Sequence, residues 1–276
     1  MKTPVGEEST VGMTSMEEGD AEDAHFDRIL AAEAAPGARA QYGPRPDQFV
    51  EWFGDPHTAD TVVALIHGGY FREQYTLSYM RPMAAALTDR GSSRNRSVAV
   101  ALVEYRRVGG EGGHPHTLED VEAAVAFVYD AAAGERSRDV ELVVAGHSAG
   151  GSLALSWASR QPEDGPAVRV RPLAAVTDLV AEVRDHLGEG AILEYMGVRP
   201  EEDPGRYLEE DPRSRAALIP ARMDVQLLHG TEDQTVSIDF PRGFPARLWE
   251  LDGADHFDLV DPHAEHFDEV VRLLVG

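Results

Sequence analysis

Ser148 lies in the run Gly146-His147-Ser148-Ala149-Gly150-Gly151, between the apolar stretch Val140 to Val144 and an alanine- and leucine-rich stretch, Ser152 to Arg160. This spacing predicts a strand, a tight turn and a helix. The serine hydroxyl sits on the turn, and the helix N-terminus favours negative charge beside it. Gly146 and Gly150 leave room where a Cβ would crowd the strand and the helix. The structural alternative is a glycine-rich turn with a capping serine. A serine nucleophile needs a base, a group that orients the base, and donors for the oxyanion it creates. His256, in Ala254-Asp255-His256-Phe257-Asp258 after the last apolar run, is the candidate base. Asp233, in His229-Gly230-Thr231-Glu232-Asp233, is the candidate orienting acid, with Glu232 and then Asp255 as rivals. His147 is expected to pack beside the turn; His67, His114, His116, His229, His263 and His266 are weaker candidates for the base. The order Ser148, Asp233, His256 is the one a strand–turn–helix nucleophile calls for. Ala149 and the loop His67-Gly68-Gly69-Tyr70 are the places from which backbone N–H groups can meet an oxyanion.

The elements that position these groups follow from the apolar runs. Thr61 to Ile66, Val98 to Val103, Val140 to Val144, Pro172 to Val176, Val225 to Leu228 and Ala246 to Leu251 read as buried strands, and Gln48 to Phe53 as an early edge strand. Helices are expected at His25 to Ala40, Leu77 to Arg90, Thr117 to Ala133, Ser152 to Arg160 and Pro262 to Val275. Alternating strands and helices predict an α/β fold with a mostly parallel sheet and helices on both faces. His67, Glu104, Ser148, Asp233 and His256 all fall just past a strand end, the edge where such sheets bind ligands. Residues 179–223 break the alternation and read as a small helical cap over that edge. Residues 1–24, rich in Glu, Gly, Ser and Thr, read as a disordered acidic tail, leaving 25–276 as one domain.

Composition narrows the chemistry. The chain has 276 residues, a formal net charge of −24 and no cysteine, which removes disulfides, thiolate metal sites and a cysteine nucleophile. Lys2 is the sole lysine, so no lysine base is expected inside the fold. The acidity argues against nucleic acid or an anionic membrane as partner. The N-terminus carries no apolar signal segment and no run is long enough to span a bilayer, so a cytoplasmic location is expected.

Taken together, His67-Gly68-Gly69-Tyr70, Gly146 to Gly151, His229 to Val236 and Ala254 to Asp258 resemble the α/β-hydrolase superfamily over about residues 40–275. Within it the chain is similar to the esterase/lipase branch that includes serine-type arylformamidases, and to small relatives of the prolyl-oligopeptidase hydrolase domain. The resemblance implies Ser148 as nucleophile, Asp233 and His256 as its partners, and Gly69, Tyr70 and Ala149 as oxyanion donors. Departures are visible. Phe71 stands where many formamidase-like relatives have Trp after the HGGY run. Glu104-Tyr105-Arg106-Arg107 lacks the Tyr-Arg-Leu-Ala-Pro-Glu run of hormone-sensitive-lipase relatives. Gly113-His114-Pro115-His116-Thr117 does not match the metal-dependent formamidases, so no metal or cofactor is expected. The expected activity is hydrolysis of small carboxylic esters or activated aryl amides through an acyl-enzyme. A small aminoacyl or dipeptidyl peptidase and a catalytically silent ligand-binding protein are the alternatives. Tyr70, Phe71, Tyr75 and, from the cap, Tyr195 and Met196 are expected to line an aromatic substrate pocket. A homodimer is left open.

Overall fold

In the computed structural model, residues 11–32, 34–93, 96–134 and 140–276 are described. They form eight strands in one sheet: β1 (Ala38–Gln41), β2 (Phe49–Phe53), β3 (Thr61–Ile66), β4 (Val98–Val103), β5 (Glu141–His147), β6 (Val168–Leu173), β7 (Met223–Gly230) and β8 (Arg247–Leu251). Their order across the sheet is β1-β2-β4-β3-β5-β6-β7-β8. β2 runs antiparallel to β1 and β4, and every other pair is parallel. The helices are α1 (Val11–Ala31), α2 (Arg81–Ser93), α3 (His116–Ala133), α4 (Ala149–Ala158), α5 (Leu179–Arg184), α6 (Ala191–Met196), α7 (Pro204–Glu210), α8 (Pro212–Arg215), α9 (Asp239–Gly243) and α10 (Phe267–Val275).

Strand periodicity divides the interior in two. Val62, Ala64 and Ile66 of β3 point to one face, where they join residues of α3, α4 and α6 in one apolar cluster. Val63 and Leu65 point to the other face and join α2 and α10. Each fully buried valine, leucine or isoleucine among them contributes roughly 1.5–3 kcal/mol. Both faces of β3, β4 and β5 are covered, which is why those strands are nearly continuous apolar runs.

The register aligns the strand ends. Ile66 of β3 sits beside Gly146 of β5, His147 beside Leu173 of β6, and Leu173 beside Leu228 of β7. The loops after these strands therefore open on one edge of the sheet.

The C-terminal helix begins at Phe267 rather than Pro262, and three other elements differ from the sequence expectation. The strand read at 172–176 lies earlier, at Val168–Leu173, because Arg169 and Arg171 interrupt its apolar pattern. Arg171 is nonetheless buried, donating to Asp224 Oδ2 (2.6 Å) and to the Leu273 carbonyl (3.0 Å). The helix read at 25–40 instead ends at Ala31, and Ala38–Gln41 pairs with β2 as an edge strand. The tail read at 1–24 is helical from Val11 onward, and Glu22 is buried. Its first ten residues lie outside the described residues. The stretch 179–223 runs from β6 to β7 as four short helices with 3-10 turns between them.

Candidate active site

The turn after β5 carries Ser148 at φ 55° and ψ −119°. A non-glycine residue there costs on the order of 1–3 kcal/mol and persists only where the surroundings impose it. The Ser148 N–H donates to the Leu173 carbonyl (2.8 Å), and its own carbonyl accepts from Gly151 (2.9 Å) and Ser152 (3.2 Å). The glycines allow this close approach. A Cβ on Gly146 would lie 2.2 Å from the Gly150 carbonyl oxygen, and one on Gly150 would lie 2.3 Å from that of Ile66. The strand, the turn and α4 are thus pressed together, and Ser148 stands half-buried at the N-terminus of α4.

His256 follows β8 and is buried. Its Nδ1–H donates to Asp233 Oδ2 at 2.8 Å, which leaves Nε2 as the unprotonated, basic nitrogen. Asp233 Oδ1 accepts from the N–H groups of Thr235 (3.0 Å) and Val236 (2.7 Å), and His229 Nε2 lies 3.1 Å from Oδ2. Burial works against the Asp233 carboxylate, but His256 and His229 overcome it and hold its pKa below the ordinary range. Burial also works against a charged His256; Asp233, with Glu22 and Asp255, outweighs it and raises the pKa above 6.5. The rival acids are placed elsewhere. Glu232 is exposed, and Asp255 bonds to His25 and to the N–H groups of Phe257 and Asp258.

Ser148 and His256 face one cavity of about 100 Å³, walled by Phe26, Tyr70, Tyr75, Tyr79 and Phe257. No hydrogen bond joins Ser148 Oγ to His256 Nε2 among the described residues; without substrate such bonds are commonly long. A second cavity of about 20 Å³ also borders Ser148, lined by Tyr70, Phe71, Ala149, Glu182, Ile192 and Val236. The N–H groups of Gly69 and Tyr70, in the loop after β3, have no acceptor among the described residues. A cleft of about 430 Å³ lined by Tyr129, Trp157, Arg160 and Arg222 lies at the opposite edge, beside the first residues of β5, β6 and β7.

A buried chain of hydrogen bonds ties the two halves of the site together. Gly68 N–H donates to Tyr79 Oη (2.8 Å), Tyr79 donates to His147 Nδ1 (3.0 Å), and His147 Nε2–H donates to the His256 carbonyl (3.0 Å). Burial and the neighbouring His256 push the His147 pKa down to about 3, so its ring is neutral and serves as both acceptor and donor. His67 bridges the Gly68 carbonyl (2.7 Å) and Glu104 Oε1 (2.9 Å) beneath the same loop.

Helix α1 was not foreseen here. Glu22 accepts from the His256 N–H (2.9 Å), the Gln234 N–H (3.1 Å) and the Thr235 hydroxyl (2.6 Å), joining the loop of Asp233 to the loop of His256. His25 spans Asp255 (2.7 Å) and Asp261 (3.1 Å), and Phe26 stacks on Phe257 with ring centres 4.5 Å apart. Glu22, His25, Phe26 and Ile29 follow i, i+3, i+4, i+7, a helical stripe that is visible in the sequence but weak beside so many acidic residues. His25, Asp255 and Asp258 offer ligand atoms within 4.8 Å of one another, but both His25 nitrogens are already engaged by Asp255 and Asp261. Glu22→Ala removes three hydrogen bonds to a buried carboxylate and is expected to cost about 1–3 kcal/mol of stability in denaturant melts.

Of the residues expected to line a substrate pocket, Tyr70, Phe71 and Tyr75 do border the two cavities. Tyr195 and Met196 do not. Tyr195 stacks behind Phe71 at 4.1 Å and donates to Glu210, and Met196 packs in the core. On α6 it is Ala191 and Ile192 that face the cavity. Glu182, Thr235 and Val236 also border the cavity, in places that no local sequence signal marks because they depend on how the loops fold back.

The same arrangement of sheet, helices and loops occurs in solved structures. An esterase/lipase from an uncultured bacterium is 16% identical, with 99% of this chain and 92% of that one covered and a TM-score of 0.64. The architecture is that of the α/β-hydrolases. Esterase B from Lactobacillus rhamnosis HN001 is 16% identical, covering 95% of this chain and 93% of its own, with a TM-score of 0.68. A truncated carbohydrate esterase from gut microbiota is 16% identical, covering 88% and 97%, with a TM-score of 0.67. At such identities the likeness concerns the α/β-hydrolase fold. The family described as BD-FAE matches residues 55–168, a stretch that holds β3, β4 and the Ser148 turn. No curated protein matches the chain. Among the described residues, no helix is long and apolar enough to cross a membrane.

Proposed function

We propose that this protein is a serine hydrolase that cleaves esters of small carboxylic acids. The observation that carries the reading is the strained Ser148 facing the same cavity as a buried His256, whose Nδ1 is held 2.8 Å from Asp233. Proteins of similar fold include an esterase/lipase and an esterase B, which favours an ester over other acyl substrates.

His256 Nε2 takes the Ser148 proton as Oγ attacks the ester carbonyl. The oxyanion is met by the N–H groups of Gly69, Tyr70 and Ala149, aided by the N-terminus of α4. His256 returns the proton to the departing alkoxide as the carbon–oxygen bond breaks, leaving an acyl-enzyme. Water then gives a proton to His256 and attacks the acyl carbon. Collapse releases the acid and restores the Ser148 hydroxyl.

Cavity size sets the expected substrates. A cavity of about 20 Å³ holds little more than one water-sized group, which suits a formyl or acetyl-sized acyl portion. The aromatic walls of the larger cavity suit an aryl leaving group. Aryl formamides are therefore the second substrate class. The test is a panel of p-nitrophenyl esters, N-formylkynurenine and aminoacyl anilides. The acetate ester is expected to exceed the octanoate ester by ~10-fold or more in kcat/KM, since overfilling a packed pocket costs about 1–3 kcal/mol. Equal turnover of both would remove the short-acyl reading, and formate release from N-formylkynurenine would establish the formamidase activity.

A further inference from the structure

Glu182 stands on α5 and is 2% exposed, yet its Oε2 has no hydrogen-bond partner among the described residues. Buried polar atoms are paired in the great majority of cases, and those left unpaired ask for an explanation. This carboxyl is the one acid among the described residues lining the 20 Å³ cavity, which Ser148, Ala149 and Tyr70 also border. Of the other side chains there, Phe71, Val176, Ala191, Ile192 and Val236 are apolar, and the Thr235 hydroxyl donates to Glu22 instead. The main chain leaves little slack: a Cβ on Gly188 would lie 2.9 Å from Oε2. Burial, reinforced by Asp178 and Asp185, raises the carboxyl pKa to about 7. No cation comes close enough to form an ion pair with it among the described residues, in contrast to the buried Glu51, whose oxygens are met by Arg81 at 2.8 Å. An unpaired group of this kind weakens the fold and is retained where it acts on a ligand.

We propose that Glu182 is the specificity residue on the acyl side of the site, receiving a hydrogen-bond donor carried on the carbon next to the scissile carbonyl. The donor is a hydroxyl or an ammonium, so the favoured acyl groups are hydroxyacetyl and aminoacetyl rather than plain acetyl. Such a group is also what the cavity holds: one substituent beyond the carbonyl. The proposal rests on the reading of Ser148 as the nucleophile.

The test compares phenyl acetate, phenyl glycolate and glycine phenyl ester on wild type, Glu182→Gln and Glu182→Leu. Within each enzyme the readout is the ratio of kcat/KM for the donor-bearing ester to that for phenyl acetate, so a change in overall activity cancels. Wild type is expected to favour one donor-bearing ester by ~10-fold or more, and Glu182→Leu to lose that preference, as sites built to pair a polar group reject the analogue without it. Preference for the glycolate identifies a hydroxyl, and preference for the glycine ester an ammonium. Glu182→Leu is also expected to raise Tm, because it removes an unpaired buried oxygen. A frame carboxyl would show the reverse: a lower Tm and an unchanged ratio. Hydrolysis of all three esters without preference, or a preference that survives both substitutions, overturns the proposal alone. No hydrolysis of any ester overturns the hydrolase reading and this proposal with it.

Discussion

Ser148→Ala is expected to lower turnover of p-nitrophenyl acetate by ~10⁴-fold or more. The substitution deletes one oxygen and leaves the turn, the cavity and the Asp233–His256 pair in place. The nearby aliphatic hydroxyls of Ser152 and Thr235 are engaged elsewhere. Ser152 donates to the buried Val176 carbonyl, and Thr235 donates to Glu22 at 2.6 Å. What remains is water activated by His256 in front of the oxyanion donors, which accounts for a small residual rate. A variant that keeps a tenth of wild-type turnover, with the protein purified free of contaminating esterase, would exclude Ser148 as the nucleophile.

Asp233→Asn is expected to be nearly as damaging, at ~10⁴-fold in kcat, for a reason visible in its hydrogen bonds. Oδ1 accepts two backbone N–H groups, from Thr235 and Val236. An asparagine must keep its carbonyl oxygen on that side, which turns its NH₂ toward His256 Nδ1 and His229 Nε2. The NH₂ then donates to His256 Nδ1 and moves the ring proton to Nε2, the nitrogen that has to accept from Ser148. The pH profile provides a second check. The base works when neutral, so wild-type kcat/KM falls as pH drops through a pKa raised above 6.5. Removing the carboxylate that raises it moves this limb to lower pH in the residual activity. An unmoved limb would show that the titrating group is not His256.

The fold was legible wherever both faces of the sheet are buried. β3 and β4 are unbroken apolar runs, and the chemistry-bearing residues stand at their ends because the next residue leaves the sheet. Ser148, Asp233 and His256 could be proposed from that coincidence of position and chain order. β6 was misplaced because two arginines within it are neutralised by Asp224, Glu141 and carbonyls from distant parts of the chain. The part of α1 before His25, and its docking at the site, were missed for a similar reason. Glu22 finds its partners more than 200 residues away, and nothing local marks an acidic segment as docked. Glu182 reads in the sequence as one more surface acid of the cap. Only the fold, which sets Glu182 at the cavity beside Ser148, reveals it as buried and unpaired. Tyr195 and Met196 fail in the opposite direction: their types suit a pocket, but the short α6 turns them into the core.

The most direct test of the central claim, that Ser148 is a nucleophile activated by His256 and Asp233, is stoichiometric reaction with a fluorophosphonate followed by peptide mapping. One adduct per chain is expected, on the peptide containing Ser148, with labelling slowed at least ~100-fold in His256→Ala, consistent with the loss of a positioned general base. A folded protein that takes no label, or takes it on another residue, would contradict the account.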